Sequence, residues 1–181
     1  MTTKSKVQKK LKTTQKPIKK VKKAKGSAKS MLGQAVPSIE LLATGSQKIN
    51  LQKLKGTKVV LYFYPRDKTP GCTLEGHEFT KLKAEFSKND TQVFGVSADS
   101  LQSHESFKES CGFKVDLIED KDQKLCRAFD VIQMKNMYGR KYEGIERSTF
   151  VIDEKGIVHG EWRKVKVPGH AQEVLNFVKT L

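Results

Sequence analysis

The sequence predicts a single three-layer α/β domain built on a mixed β-sheet. Apolar strand candidates alternate with amphipathic helical stretches, and the alternation closes on a β-hairpin followed by a helix. Nearly all the excess charge is confined to one terminal segment, which leaves the remainder close to neutral. At 181 residues, with 36% hydrophobic and 8% aromatic residues, the chain holds apolar material for one compact core.

Residues 1–30 contain twelve lysines and neither Asp nor Glu, so they supply +12 of the net charge of +15. The rest carries 23 basic against 20 acidic residues. Thr, Ser, Gln, Pro and Gly separate the lysines, and such a segment buries too little to offset its ordering entropy. A disordered Lys-rich tail over 1–30 is expected, followed by a folded domain over 31–181. The tail's cations suit non-specific contact with nucleic acid, although a merely solubilising extension accounts for them equally well. With neither Arg nor aromatic residues, the tail has no means of reading bases.

Within the domain, Ile39 to Ala43 is a short apolar run, Gly45-Ser46 marks a turn, and Leu51 and Leu54 fit a brief amphipathic turn. Val59 to Tyr64 is a continuous β-branched and aromatic run, the pattern of a central strand covered on both faces. A loop from Pro65 to Gly71 leads into a helix reaching about Ser87, with Leu74, Phe79, Leu82 and Phe86 at helical spacing. Val93 to Val96 reads as the next buried strand, and Ser100 caps a helix that Cys111-Gly112 ends. A strand about Leu117-Ile118 and a helix from Gln123 to Phe129 follow. Thr149 to Ile152 and Ile157 to Trp162 flank the turn Asp153 to Gly156 as a hairpin, and Ala171 to Thr180 is the last helix.

Mean hydropathy is −0.56 and no window nears the roughly 18 apolar residues of a membrane span, so a soluble protein without membrane contact is expected. The first thirty residues lack the apolar core of a secretory signal. Three widely spaced cysteines, at 72, 111 and 126, make neither a disulfide scaffold nor a zinc motif. A reducing, cytoplasmic location and no bound metal are the corresponding expectations. His77, His104, His159 and His170 are scattered without ligand spacing, and His170 reads as part of a helix N-terminus.

The chemistry concentrates at Pro65-Arg66-Asp67-Lys68-Thr69-Pro70-Gly71-Cys72-Thr73-Leu74-Glu75. Thr69 suits an N-cap and Pro70 the first helical position, which puts Cys72 in the first turn, facing unpaired amides. An unperturbed thiol, of pKa about 8.5, is only roughly 3% thiolate at pH 7, whereas a helix N-terminus beside a cation makes a standing nucleophile. A small buried hydrophobe is the bland alternative for any single cysteine, but strand, loop, cap and thiol together point to chemistry.

Pro65-x-x-x-Thr69-x-x-Cys72 resembles the active-site pattern of peroxiredoxins, and FYPRDKTPGCTLE resembles their peroxiredoxin Q branch, also called bacterioferritin comigratory protein. VFGVSADS, CRAFDV, KNMYG, GIERSTFVID and WRKVKVPGH extend the likeness over about residues 31–181. The resemblance implies a thioredoxin-like fold and thiol-dependent reduction of hydrogen peroxide and organic hydroperoxides without any cofactor. It implies a thioredoxin-like reductant and a role in antioxidant defence; a monomer is expected.

By the same resemblance Cys72 is the peroxidatic thiol and Arg147 the guanidinium that activates it and holds the peroxide. Thr69 and the Cys72 amide orient the substrate, and Pro65 shields the thiolate from water. Glu75 has two readings: it orients Arg147, or it is an exposed charge favouring the helix N-terminus. Arg147 by itself would read as a solvated strand-edge arginine.

Resolution of the sulfenic acid is less determined. Many members of the branch carry a resolving cysteine five residues after the first, where this chain has His77, and another subgroup places it near Lys108. Here Cys111 lies about one helical turn further on, and two readings stand: a resolving thiol, or a core-facing cysteine at a helix end. Cys126, between Leu125 and Phe129, reads as structural; an external thiol is the third route. A general disulfide reductase is disfavoured, because Thr69-Pro70-Gly71-Cys72 replaces Cys-x-x-Cys.

Overall fold

The computed structural model describes residues 29–137 and 139–181, so the expected tail lies almost wholly outside the described residues. The chain runs β1 (Glu40–Ala43), β2 (Gln47–Asn50), a 3₁₀ turn (Leu51–Leu54), β3 (Lys58–Phe63), α1 (Pro70–Lys88), β4 (Thr91–Ser97), α2 (Leu101–Cys111) and β5 (Asp116–Glu119). It continues through α3 (Lys124–Ala128), β6 (Ile132–Met137), β7 (Arg140–Ile145), β8 (Ser148–Ile152), β9 (Val158–Arg163) and α4 (His170–Val178). Seven strands form one sheet in the order β2-β1-β5-β4-β3-β8-β9, while β6 and β7 form a separate ribbon. β4 is parallel to β3 and β5 and the other pairings are antiparallel, which gives the mixed sheet of a thioredoxin-like fold.

β3 lies inside the sheet, next to the middle strand β4, and its two faces feed two cores. Val59, Leu61 and Phe63 join Phe94, Val96, Phe150 and Ile152 beneath residues of the entering segment and of α3. Val60, Tyr62 and Tyr64 meet Phe79 and Phe86 of α1, Phe107 of α2 and Val174 of α4 on the opposite side. With both faces buried, the strand reads as an unbroken apolar run and not as an alternation.

Two hairpins were not legible as such. β2 has a single buried residue, Ile49, and four residues at a polar sheet edge show no period. The β6–β7 ribbon is a sheet of its own, held to the core by Ile145 and Ile132 while Met134 and Tyr142 are exposed, so too few buried positions mark its strands to show a period. The entering segment is tied to β9: the Ser30 hydroxyl and the Met31 amide donate to Glu161, and Arg163 donates to the Lys29 carbonyl.

Candidate active site

The end of β3, the Pro65–Thr69 loop and the first turn of α1 meet the β7–β8 junction. Thr69 is the N-cap in extended conformation (φ −91°, ψ 149°), Pro70 follows, and Cys72 takes the third helical position. Helical bonding begins with the Thr73 amide donating to the Thr69 carbonyl at 2.9 Å, so the Gly71 and Cys72 amides precede the ladder. The Thr69 side chain departs from the capping expectation, since its hydroxyl donates to the Arg66 carbonyl at 3.2 Å. Lys68, in the left-handed region at φ 58°, curls the loop so that this carbonyl lies within reach.

Arg147 arrives from a distant part of the sequence. Ser148 pairs with Phe63 in the β3–β8 register, which sets the preceding residue beside the loop. Arg147 Nη2 donates to Cys72 Sγ at 3.2 Å, and its Nη1 forms an ion pair with Glu75. A Cβ on Gly71 would stand 3.3 Å from Nη2, so the small residue there keeps the guanidinium's approach open. Cys72 is 2% exposed.

Glu75 is also buried, which removes the exposed-charge reading. Burial pushes its carboxyl up to about 7, against the opposing pull of Arg147, and its Oε1 has no partner. For Arg147, burial disfavours the charge, but Glu75 and Cys72 together hold its pKa above the usual value. The arginine is thus held between two buried groups and does not lie in solvent.

Two neighbours went unnoticed in the sequence. Lys135 Nζ donates to the Ile145 carbonyl at 2.6 Å, and burial, then Arg147, lowers the pKa of its ammonium. It lines a cleft of about 420 Å³ with Pro65, Arg66, Ala98, Tyr142 and Ile145. Its only sequence signal was membership of the KNMYG block. The second neighbour is Asp67, whose buried carboxylate meets His104 of α2.

Cys111 is the last residue of α2, half-buried, and packs against the same core as Cys72, Phe107 and Phe113. The Phe113 ring lies on Gly76, where a Cβ would come within 2.4 Å of it, so the chain just after Cys111 abuts α1 one turn beyond Cys72. At the two positions where the resemblance implies a second thiol in other members, His77 stacks edge-on against Phe113 and Lys108 pairs with Asp116. Cys126 is fully buried; burial and then Asp120 push its thiol far up. All three cysteines are unbridged. His170 begins α4 half-enclosed by aromatic rings, its Nε2 2.8 Å from the Thr149 hydroxyl.

Residues 32–160 match the model of the AhpC/TSA family. Peroxiredoxin Bcp of Xanthomonas campestris pv. campestris is 48% identical over 148 residues, 82% of this chain and 92% of its own. Peroxiredoxin Bcp of Bacillus subtilis is 43% identical over 150 residues, 83% and 96% of the two chains. Among solved structures, the bacterioferritin comigratory protein of X. campestris, trapped in intermediate and ligand complexes bearing on its alkyl peroxide reduction activity, superposes with a TM-score of 0.78. That structure is 46% identical and the match covers 85% of this chain and 98% of the other.

Proposed function

The chain belongs to the AhpC/TSA family, within its Bcp and peroxiredoxin Q group, and from that premise we propose how this thiol peroxidase works. The observation that carries the reading is the guanidinium of Arg147 at 3.2 Å from the Cys72 sulfur, at the uncapped start of α1.

The Cys72 thiolate attacks one oxygen of a hydroperoxide in line with the O–O bond. An S–O bond forms as the O–O bond breaks. The electron pair leaves on the far oxygen, which takes up a proton to become water or an alcohol, and sulfur is oxidised to the sulfenic acid. Arg147 and the Cys72 amide face the charge that develops on the oxygens, preorganised before the reaction begins. The Thr69 hydroxyl spends its proton on the Arg66 carbonyl, so its lone pairs are open to the peroxide O–H. Pro65 walls the thiolate from water, and Glu75 fixes the angle of Arg147 from behind.

In the second half-reaction the Cys111 thiol attacks the sulfenic sulfur, water leaves, and a Cys72–Cys111 disulfide remains for a thioredoxin-like dithiol to reduce. The packing of Phe113 on α1 beside Cys111 supports this choice. The folded unit is 31–181, working as a monomer in a reducing compartment such as the cytoplasm, and the lysines of 1–30 supply non-specific attraction to polyanions.

The test is product mapping by non-reducing mass spectrometry after one equivalent of peroxide. Wild type gives a Cys72–Cys111 disulfide, Cys111→Ser stops at Cys72 sulfenic acid, and Cys72→Ser reacts at neither cysteine. A disulfide that persists in Cys111→Ser would move the resolving role to Cys126 or an external thiol.

A further inference from the structure

Asp67 is a buried carboxylate that the peroxide chemistry leaves unused. It lies midway along the Pro65–Thr69 loop, and its side chain is 3% exposed. Tyr64 donates to Oδ1 at 2.8 Å and Ser103 to Oδ2 at 2.7 Å, while His104 Nδ1 lies 2.9 Å from Oδ2 and 3.1 Å from Oδ1. Burial pushes this carboxyl up, but the bonds from His104, Ser103 and Tyr64 outweigh it and hold the carboxyl below its ordinary range. With a carboxylate on one side, Nδ1 is the nitrogen that carries the proton. The imidazole is fully buried, and its Nε2 has no partner, so Asp67 is the ring's principal polar attachment.

The same loop is held to its surroundings at two further points. The Asp67 amide donates to Asp99, which also accepts from Ser97, and Lys68 Nζ donates to Ser106. Ser103, His104 and Ser106 all belong to α2. Of the eleven residues of that helix only His104 and Phe107 are buried. One anchor is therefore an aromatic ring in the core, and the other is an imidazole bound to the loop that carries Pro65 and Thr69. Cys111 sits at the far end of the same helix.

We propose that Asp67 and His104 are positioning residues that latch the Pro65–Thr69 loop to α2: closed, the latch fixes the loop for the peroxide step, and its release frees α2 to deliver Cys111. The first half needs only Cys72, and the second rests on Cys111 as resolving thiol. Two steps with opposite demands then share one contact. A tighter latch favours oxidation of Cys72 and delays disulfide formation, whereas a looser one does the reverse.

The experiment uses the full chain and the variants His104→Leu, His104→Asn, Asp67→Asn and the double Asp67→Asn/His104→Leu. Ile49→Ala, a cavity on the opposite face of the sheet, serves as a control for general destabilisation. Three quantities are read well below the unfolding temperature: amide hydrogen exchange over 101–111 in the reduced protein, the second-order rate of Cys72 oxidation, and the rate of disulfide formation after it. His104→Leu should raise exchange in α2 about tenfold or more, slow oxidation several-fold and speed disulfide formation, the scale of losing one hydrogen bond to a charged group. His104→Asn restores an N–H at the place of Nδ1 and should recover most of each change. The double variant should do no more than either single one. The proposal is overturned if His104→Leu and Asp67→Asn leave exchange and both rates unmoved, or if Ile49→Ala moves them equally. Should His104→Leu fail to fold, Asp67→Asn against His104→Asn decides by the same readouts. If exchange and oxidation shift as stated while wild type forms no Cys72–Cys111 disulfide, the latch is upheld on its first half and the resolving role of Cys111 falls.

Discussion

Cys72 and Cys126 occupy the same position in two helices, the third residue after the N-cap, and both are buried. Their surroundings differ in who takes the helix amides and which charge lies nearest. At α3 the Asp120 carboxylate accepts from the amides of Leu125 and Cys126 at 3.1 and 2.7 Å, so that helix end is filled by an anion. The thiol beside it is pushed up by burial first and then by this negative group. At α1 the cap hydroxyl turns away, no side chain covers the amides of Gly71 and Cys72 among the described contacts, and a guanidinium touches the sulfur. On the proposed roles, the thiol that acts as nucleophile is the one whose helix amides are left for the sulfur and the substrate.

The strongest way to break this contrast is to exchange the burdens of the two thiols. Cys72→Ser should lower peroxidase turnover by about 10³-fold or more, since the nucleophile itself is lost. Cys126→Ser should keep turnover and instead lose stability, on the order of 1 kcal/mol by urea unfolding, because a smaller, more polar hydroxyl replaces sulfur in the packed core while Asp120 is in place to accept its proton. Comparable activity in both variants would dissolve the distinction. Arg147→Ala should slow Cys72 oxidation by about 10²-fold in rapid-mixing kinetics, the cost of one strong preorganised donor. An unchanged rate would leave the amides alone to account for reactivity.

Glu75→Gln tests the group behind the arginine. The folded protein holds the Glu75 proton up to about 7 against an ordinary value of 4.5, so across that window the native state binds more protons than the unfolded one. Stability therefore falls as pH rises from about 4.5 to 7 and levels off above. Gln should flatten this part of the curve in urea titrations at pH 5 and 8, and an unaltered slope would place the titration elsewhere. The smallest effect on activity is expected from Asp120→Asn, which keeps one of the two amide bonds and removes the charge. In a Cys72→Ser background it should leave peroxide consumption at the level of that single variant. Peroxidase activity emerging at Cys126 would show that relieving an anion suffices, without an arginine.

What the sequence disclosed followed the range of each signal. The strand, the loop and the placement of Cys72 depend on neighbours within about a dozen residues, and Val59 to Tyr64, Pro70 and Gly112 carried them. Glu75 stayed ambiguous because a carboxylate three residues along a helix from the thiol faces either the core or water, and only the packed arginine decides between these. Asp67 and His104 were illegible: an Asp in a turn and a single His on the inward face of a mostly polar helix are ordinary singly, and 37 residues separate them. The β6–β7 ribbon was missed for a different reason, since it meets the core only at the end where Ile132 pairs with Ile145, and the rest of its length has no buried face to write a period into the chain. Thr69 was placed well and assigned the wrong bond, because the loop's own carbonyl competed successfully for its hydroxyl.

The register that seats Ser148 opposite Phe63 also dictates when, in the life of the molecule, the thiol becomes complete. Cys72 and Arg147 are 75 residues apart, and the guanidinium reaches the sulfur only through the β3–β8 pairing. A growing polypeptide that has already emerged past Cys72 still lacks the strand that delivers the arginine, and such long-range pairing belongs to the slow, late part of folding. Nascent and half-folded chains consequently carry an ordinary cysteine. On the proposed role of Cys72, the arginine joins the thiol only when the sheet is complete, so a chain still folding does not yet hold the pair that reacts with peroxide.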